Sequence, residues 1–231
     1  LMSNIDRYPN YDHLKVIVFG EELSRQGLAE HIDFVFRNPQ SRRLTKVVVC
    51  EGEAEKVFQI QPKTIKSTAQ YIDYLLEDNS KHTLGIISSV DLTGLEGRFL
   101  NKTGFALSKL TTKKDTIDIQ GAGLFKADQL LGWLTSDEVS AIKWISDEVD
   151  RGAFYMPLLN DNVQITTQII HSKSKVSPIL NGDHFIFNVK IQLEYDISEV
   201  SKLDYIVLDQ KNIDKIEQSI NNDIKLLCEN T

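Results

Sequence analysis

The chain has 231 residues, with 33 acidic against 26 basic side chains and a net charge of −7. That length supports one large core or two or three small ones, and 41% apolar with 26% charged residues excludes a disordered chain. The acidic balance argues against nucleic acid or bare anionic lipid as the main partner, and no apolar run reaches the ~18 residues that a bilayer-spanning helix needs.

Leu14 to Phe19 predicts a short apolar strand closed by Gly20. Residues 21–36 then predict one helix, with Leu23, Leu28, Ile32, Val35 and Phe36 on a single face. Glu21 and Glu22 sit in its first turn, where the helix dipole favours acid, and Gly27 is an internal weak point costing up to ~1 kcal/mol. Asn38-Pro39 ends the element, and Arg42-Arg43 leads into a second strand, Leu44 to Cys50. After the turn at Glu51-Gly52, Glu53 to Ile60 predicts a short helix carrying Ala54, Val57 and Phe58, which Pro62 stops. Residues 64–77 predict another, with Ile72, Leu75 and Leu76 inward and Ser67 with Gln70 as a capping box. The order suggests an α/β unit over residues 1–85, with further sheet neighbours outside the chain.

Residues 78–103 show less regularity, and a domain boundary is expected near 80–90. Phe105, Leu107 and Lys109 alternate as a strand, and Thr116 to Phe125 is a second extended stretch interrupted by Gly121 and Gly123. Leu130 to Leu134 returns after the polar Lys126-Ala127-Asp128-Gln129, as a hairpin. Thr135 and Glu138 form a second capping box before a helical stripe of Val139, Ile142, Ile145 and Val149. These elements predict a small α+β unit over 86–155. From 156 to 231 the pattern predicts three antiparallel strands, Val163 to Ile170, Ser172 to Ile179 and His184 to Tyr195, with Asn181-Gly182 as the hairpin turn. A long helix follows over 209–228, whose Ile213, Ile216, Ile220, Ile224 and Leu227 should pack on that sheet. The fold class is therefore α+β and multi-domain, with mixed and antiparallel sheets each covered by helices.

The chemistry-bearing residues are scattered. His13, His31, His82, His171 and His184 include no pair at helical spacing and no Cys/His cluster. Cys50 reads as a buried thiol and Cys228 as a partly exposed one; spacing leaves a disulfide between them open. Gly94-Leu95-Glu96-Gly97 and Gly121-Ala122-Gly123 match no nucleotide fingerprint and read as turn or bulge geometry. Ser24, Ser108 and Ser146 lie in no nucleophile elbow. Glu51 with Glu53, and Asp147, Glu148 and Asp150, read as solvated faces; a carboxylate pair across a cleft is not visible in sequence. Arg42-Arg43 with Lys46, and Lys173 with Lys175, lack the interleaved aromatics of a nucleic-acid platform. No catalytic, cofactor-binding or metal-ligating residue is assigned.

Several strings nevertheless resemble one family in order. They are His13 to Leu28 (HLKVIVFGEELSRQGL), Ile32 to Pro39, Val48 to Ala54, Ile119 to Leu134 (IQGAGLFKADQLLGWL), and Ser174 through Asp183 with the strand after it. Each is similar to a segment of the C subunits of bacterial spore germinant receptors, the Ger(x)C or GerAC-like lipoproteins. Cys50 departs from that pattern where the family commonly has alanine, and Asp128 keeps only the outline of its turn.

The resemblance implies a three-domain, non-enzymatic lipoprotein of a nutrient germinant receptor, acting in spore germination. It implies lipid anchoring on the outer face of the spore inner membrane, integral membrane A-type and B-type subunits as partners, and no cofactor. The family's lipid-attachment segment and the last part of its final domain fall outside the matched residues, so anchoring is implied by the resemblance and assigned to no residue. Arg37, Glu51 and Lys126 are polar positions inside matched segments. A protein held by neighbours should expose a weakly charged face. The competing expectations are capture of a small germinant or cell-wall fragment in a pocket, and cell-wall hydrolysis in a carboxylate-lined cleft.

Overall fold

The computed structural model describes residues 11–38, 41–63, 65, 67–149, 151–158, 163–182, 184–202, 207 and 209–231, with backbone alone for 78–82 and 154–158. Pro39, Asp150 and Asp183, which figure in the sequence patterns, lie outside the described residues. The chain forms two compact units, Leu1–Asp78 with Ile87–Leu134, and Asn79–Ile86 with Thr135–Thr231.

The first unit is built on a mixed sheet of β1 (Val16–Gly20), β2 (Lys46–Cys50), β3 (Val90–Asp91), β4 (Gly104–Lys113), β5 (Thr116–Lys126) and β6 (Gln129–Leu134). Strands run in the order β1-β2-β4-β5-β6, with β3 paired to β2. β2 is parallel to β1 and β4, while β3, β5 and β6 join antiparallel. Five helices belong to this part of the chain: α1 (Glu21–Gln26), α2 (Ala29–Arg37), α3 (Ala54–Gln59), α4 (Thr68–His82) and α5 (Leu92–Asn101). β2 is buried along its whole length. A strand covered on both faces reads as a continuous apolar run, which is why Val47-Val48-Val49-Cys50 does not alternate. Val47 and Val49 enter a core with Phe19, Leu28, Ile32, Leu92, Leu95, Phe105 and Phe125. Phe105 and Phe125 are cross-strand partners whose rings stack at 5.1 Å between centroids. Lys46, on the other face of the strand, reaches Asp73 of α4, with Nζ 2.8 Å from Oδ1.

Three expectations for this unit change. The further sheet neighbours of the β1–β2 pair come from later in the chain, since β3 and β4 supply them and β5 and β6 follow. The single helix over 21–36 is two, α1 and α2, broken where Gly27 adopts φ +129°. A Cβ at Gly27 would lie 2.8 Å from Asp128 Oδ2, so the β5–β6 turn is packed on that backbone. The irregular 78–103 stretch contains α5, and Gly94 and Gly97, read as turn or bulge residues, lie inside it. Asp91 caps it by accepting from the Gly94 N–H at 2.8 Å. Leu92 and Leu95 bury against the same core, so packing overrides two glycines of poor helix propensity. Gly121, by contrast, does sit at an irregularity, where the β4–β5 register shifts between Ser108 and Leu110.

The second unit contains α6 (Ser136–Ile145), β7 (Gly152–Leu158), β8 (Val163–Asn181), β9 (His184–Val200) and α7 (Gln210–Glu229). Thr135 and Glu138 form the expected capping box: the Glu138 N–H donates to Thr135 Oγ1 at 3.2 Å, and the Thr135 N–H to Glu138 Oε2 at 2.7 Å. The sheet is three-stranded and antiparallel in the order β7-β8-β9. Its strands differ from the expected three. Residues 163–170 and 172–179 belong to one long β8, whose pairing slips between Ile169 and His171, and the third strand is β7. Asn181 pairs with His184 across the predicted turn, where Gly182 takes φ +62°. Ile216, Ile220 and Ile224 of α7 bury against Trp144, Val163, Ile165 and Ile169, each isoleucine contributing about 2 kcal/mol. Lys143 is buried and directs Nζ to the carbonyls of Ile86 and Thr83 at 3.3 and 3.4 Å, so the 79–86 segment is tied to this unit; that burial lowers its pKa.

Two glycines test these assignments by opposite signs. Gly27→Ala is expected to lower the unfolding free energy by about 1–3 kcal/mol through strain at positive φ and the clash with Asp128. Gly97→Ala, facing open space inside α5, should raise it by about 0.5–1 kcal/mol. Urea denaturation of each variant measures both.

Candidate functional site

Three of the segments that carry the family resemblance, His13 to Leu28, Val48 to Ala54 and Ile119 to Leu134, meet in the first unit. Glu21 opens α1 directly after β1, Gly52 follows β2, and Trp133 lies in β6. The Glu21 N–H donates to the Gly52 carbonyl at 2.9 Å. Its carboxylate accepts from the Gly52 N–H at 3.2 Å, from the Trp133 indole Nε1–H at 3.3 Å and from Arg25 Nη2 at 2.8 Å. The Arg25 guanidinium holds this carboxyl below the ordinary glutamate range; the Gly52 amide and Trp133 indole act the same way, and partial burial opposes them. Lys109 Nζ sits 5.6 Å from the centroid of the Trp133 ring, a cation–π contact.

A second junction lies beside it. The β5–β6 turn presents Asp128 to the start of α2. Its carbonyl accepts from the Leu28 N–H at 3.0 Å, and Oδ2 accepts from the Ala29 N–H at 3.2 Å. Gln129 Nε2 donates to the Gln26 carbonyl at 3.2 Å. Orphan amides at a helix start are thus satisfied from a hairpin about a hundred residues away in sequence. Both junctions are fully paired arrangements that fix backbone. Sequence alone marks Glu21 only as a dipole-favoured acid and Asp128 only as a turn residue, because their partners are distant in the chain.

The other singled-out residues do not assemble. Arg37 makes an exposed pair with Asp33 on its own helix, and Glu51 and Lys126 face solvent. His13, His31, His171 and His184 are exposed at separate places. Ser24 Oγ donates to the Gly20 carbonyl and Ser108 Oγ to the Ile87 carbonyl. Asp147, at φ +61°, receives Lys173 Nζ and the Ser174 N–H, each at 2.6 Å; Lys173 first and then that amide lower its pKa. Cys50 and Cys228 are both free thiols, the first buried and the second partly so. Burial pushes Cys50 up to about 11, which leaves it a poor nucleophile at neutral pH. Among the described residues no group of three or more His, Cys, Asp or Glu is placed to hold a metal ion. Among them too, no helix is long and apolar enough to cross a membrane.

The second unit contributes surface. A groove of about 610 Å³ runs between α7 and β9, lined by Phe187, Ile191, Tyr195, Ile220, Ile224 and Cys228 among others. Beyond it the far end of the β8–β9 hairpin exposes Ile179, Leu180, Phe185, Ile186 and Phe187.

Backbone-fixing junctions in one unit and an apolar, partly exposed hairpin in the other belong to a multi-domain α+β protein whose sheets are flanked by helices. The model of the spore germination protein N-terminal domain matches residues 1–112, and that of the spore germination B3/GerAC-like C-terminal domain matches residues 120–231. The chain belongs to this spore germination family. It is similar to spore germination protein B3 of Bacillus subtilis (strain 168), 25% identical over 197 residues that make up 81% of this chain and 51% of the relative. It is also similar to spore germination protein GerQC of Bacillus cereus, 22% identical over 92% of this chain and 59% of that one. The crystal structure of the GerBC protein shares the fold, with a TM-score of 0.72 and 18% identity over 97% of this chain and 64% of that chain. The chain thus spans between half and two thirds of the length of these proteins.

The Glu21 junction has a pH signature. A carboxyl whose folded pKa is depressed stabilises the fold above its ordinary pKa of 4.5, and that contribution disappears as pH falls through the lower folded value. Glu21→Gln should therefore be less stable than the parent at pH 7, and the gap should close as pH drops below 4.5, as read by denaturant midpoints across a pH series.

Proposed function

We propose that the chain is a non-enzymatic subunit of a nutrient germinant receptor complex acting in spore germination, held in place by contacts with integral membrane A-type and B-type subunits. In this reading the full-length protein is lipid-anchored at the outer face of the spore inner membrane. Anchoring confines the folded units to a thin layer, so modest contacts give stable occupancy through high effective concentration.

The observation that carries the reading is the far end of the hairpin. Leu180 and Phe185, directly opposite each other on β8 and β9, are 66% and 67% exposed, and Ile179 and Ile186 form a second exposed pair on the other face. A monomer in water gains nothing from such a surface, whereas a partner that covers it gains about 25 cal/mol per Å² of apolar area. The family membership agrees with the same role.

Photo-crosslinking from Leu180 and Phe185 in intact spores is expected to capture a membrane subunit. Replacing both by serine should leave the melting temperature within about 3 °C of the parent, because neither is in the core, while slowing nutrient-triggered germination about ten-fold or more. Full germination with that double variant, and no crosslink, would sink the proposal.

A further inference from the structure

The outer edge of β9 is the terminal edge of the second sheet among the described residues. Such an edge offers a row of backbone donors and acceptors to any strand that fits. We propose that it pairs with the β9 of a second copy of this chain, antiparallel, about a two-fold axis at Gln192. This goes beyond the receptor proposal and does not depend on it, since it requires only the chain itself.

The sequence of β9 is self-complementary about that residue. An antiparallel pairing centred on Gln192 sets Lys190 opposite Glu194 of the second copy, and Glu194 opposite its Lys190. On the same face Asn188 meets Asp196. On the other face Ile191 meets Leu193, Val189 meets Tyr195, and Phe187 meets Ile197, so apolar opposes apolar over residues 187–197, and the match ends at Phe185, which falls opposite Glu199. A lone lysine in the middle of an edge strand ordinarily repels a second copy; here a carboxylate occupies the one position that neutralises it. Lys190 and Glu194 are both exposed. Four residues apart in an extended strand they are about 13 Å from each other, too far to pair within one copy.

The groove beside α7 supports the same axis. A two-fold relating antiparallel strands of one sheet is perpendicular to that sheet, so both copies present their α7-bearing faces on one side. The groove between α7 and β9 of each copy then lies on the same side of the joined sheet. Glu217, Asn221 and Lys225, one turn apart along α7, line it. Phe187, 63% exposed in the single chain, is covered by Ile197 of the second copy.

Charge exchange tests this in the purified chain by sedimentation equilibrium, with circular dichroism to verify folding. The parent is expected to show twice the monomer mass. Lys190→Glu and Glu194→Lys each put like charges opposite one another at two symmetry-related places and should weaken association about ten-fold or more. The double exchange, K190E with E194K, restores both pairs and should return association to near the parent value. A parent that stays monomeric, single variants that associate as well as the parent, or a double variant that fails to recover would each overturn the proposal. Loss of association in that double variant with an unchanged spectrum would assign the edge to a different occupant. Because the receptor proposal is read in spores through Leu180 and Phe185, either can fail without the other.

Discussion

Covering β2 on both faces is the constraint from which the first unit follows. The strand is five residues long and wholly buried. One face requires α2 and α5 with their leucines and phenylalanines, and the other requires α4, whose Asp73 receives the one charge that the strand carries inward. A parallel neighbour on each side satisfies its backbone, β1 from before it and β4 from about sixty residues later. Nothing shorter than the stretch from β1 to β4 completes that arrangement, so residues distant in sequence are obliged to share a core.

Junctions between those distant parts use polar side chains. Glu21 ties the end of β1 to the turn after β2 and to β6, and Asp128 ties the hairpin turn to the start of α2. Asp147 performs a similar task in the second unit, holding the end of α6 to β8. Each of these carboxylates has its acceptor capacity directed at backbone amides or neighbouring cations. That use makes each of them a fixing point between distant parts of the chain.

The second unit has the opposite character. Its sheet is longer than the helix that covers it: α7 buries the strand ends near Ile165 and Ile169, while the hairpin continues with large apolar side chains in solvent. Apolar exposure of this kind, next to a strand edge that is unpaired among the described residues, is a liability unless something occupies it. The two surfaces are separable, the hairpin end being suited to apolar contact and the β9 edge to directional pairing.

Local periodicity settled much of this in advance. The alternation in β9, the stripe of α7, the Asn181-Gly182 turn and the Thr135–Glu138 capping box depend on neighbours within a few residues, so sequence alone determined them. The α+β class and the family segments were equally legible. Tertiary structure decided the rest. Gly27 splits a periodic helix because Asp128 arrives from a distant hairpin; α5 forms across two glycines because Leu92 and Leu95 find a core; β4–β6 extend the sheet of β1 and β2 because β2 has an edge to fill. Glu21 and Asp128 became visible as junctions only with their partners in place. Hydrogen bonds and packing between residues about a hundred positions apart leave no periodic trace in the chain, and those are the interactions that only folding brings together.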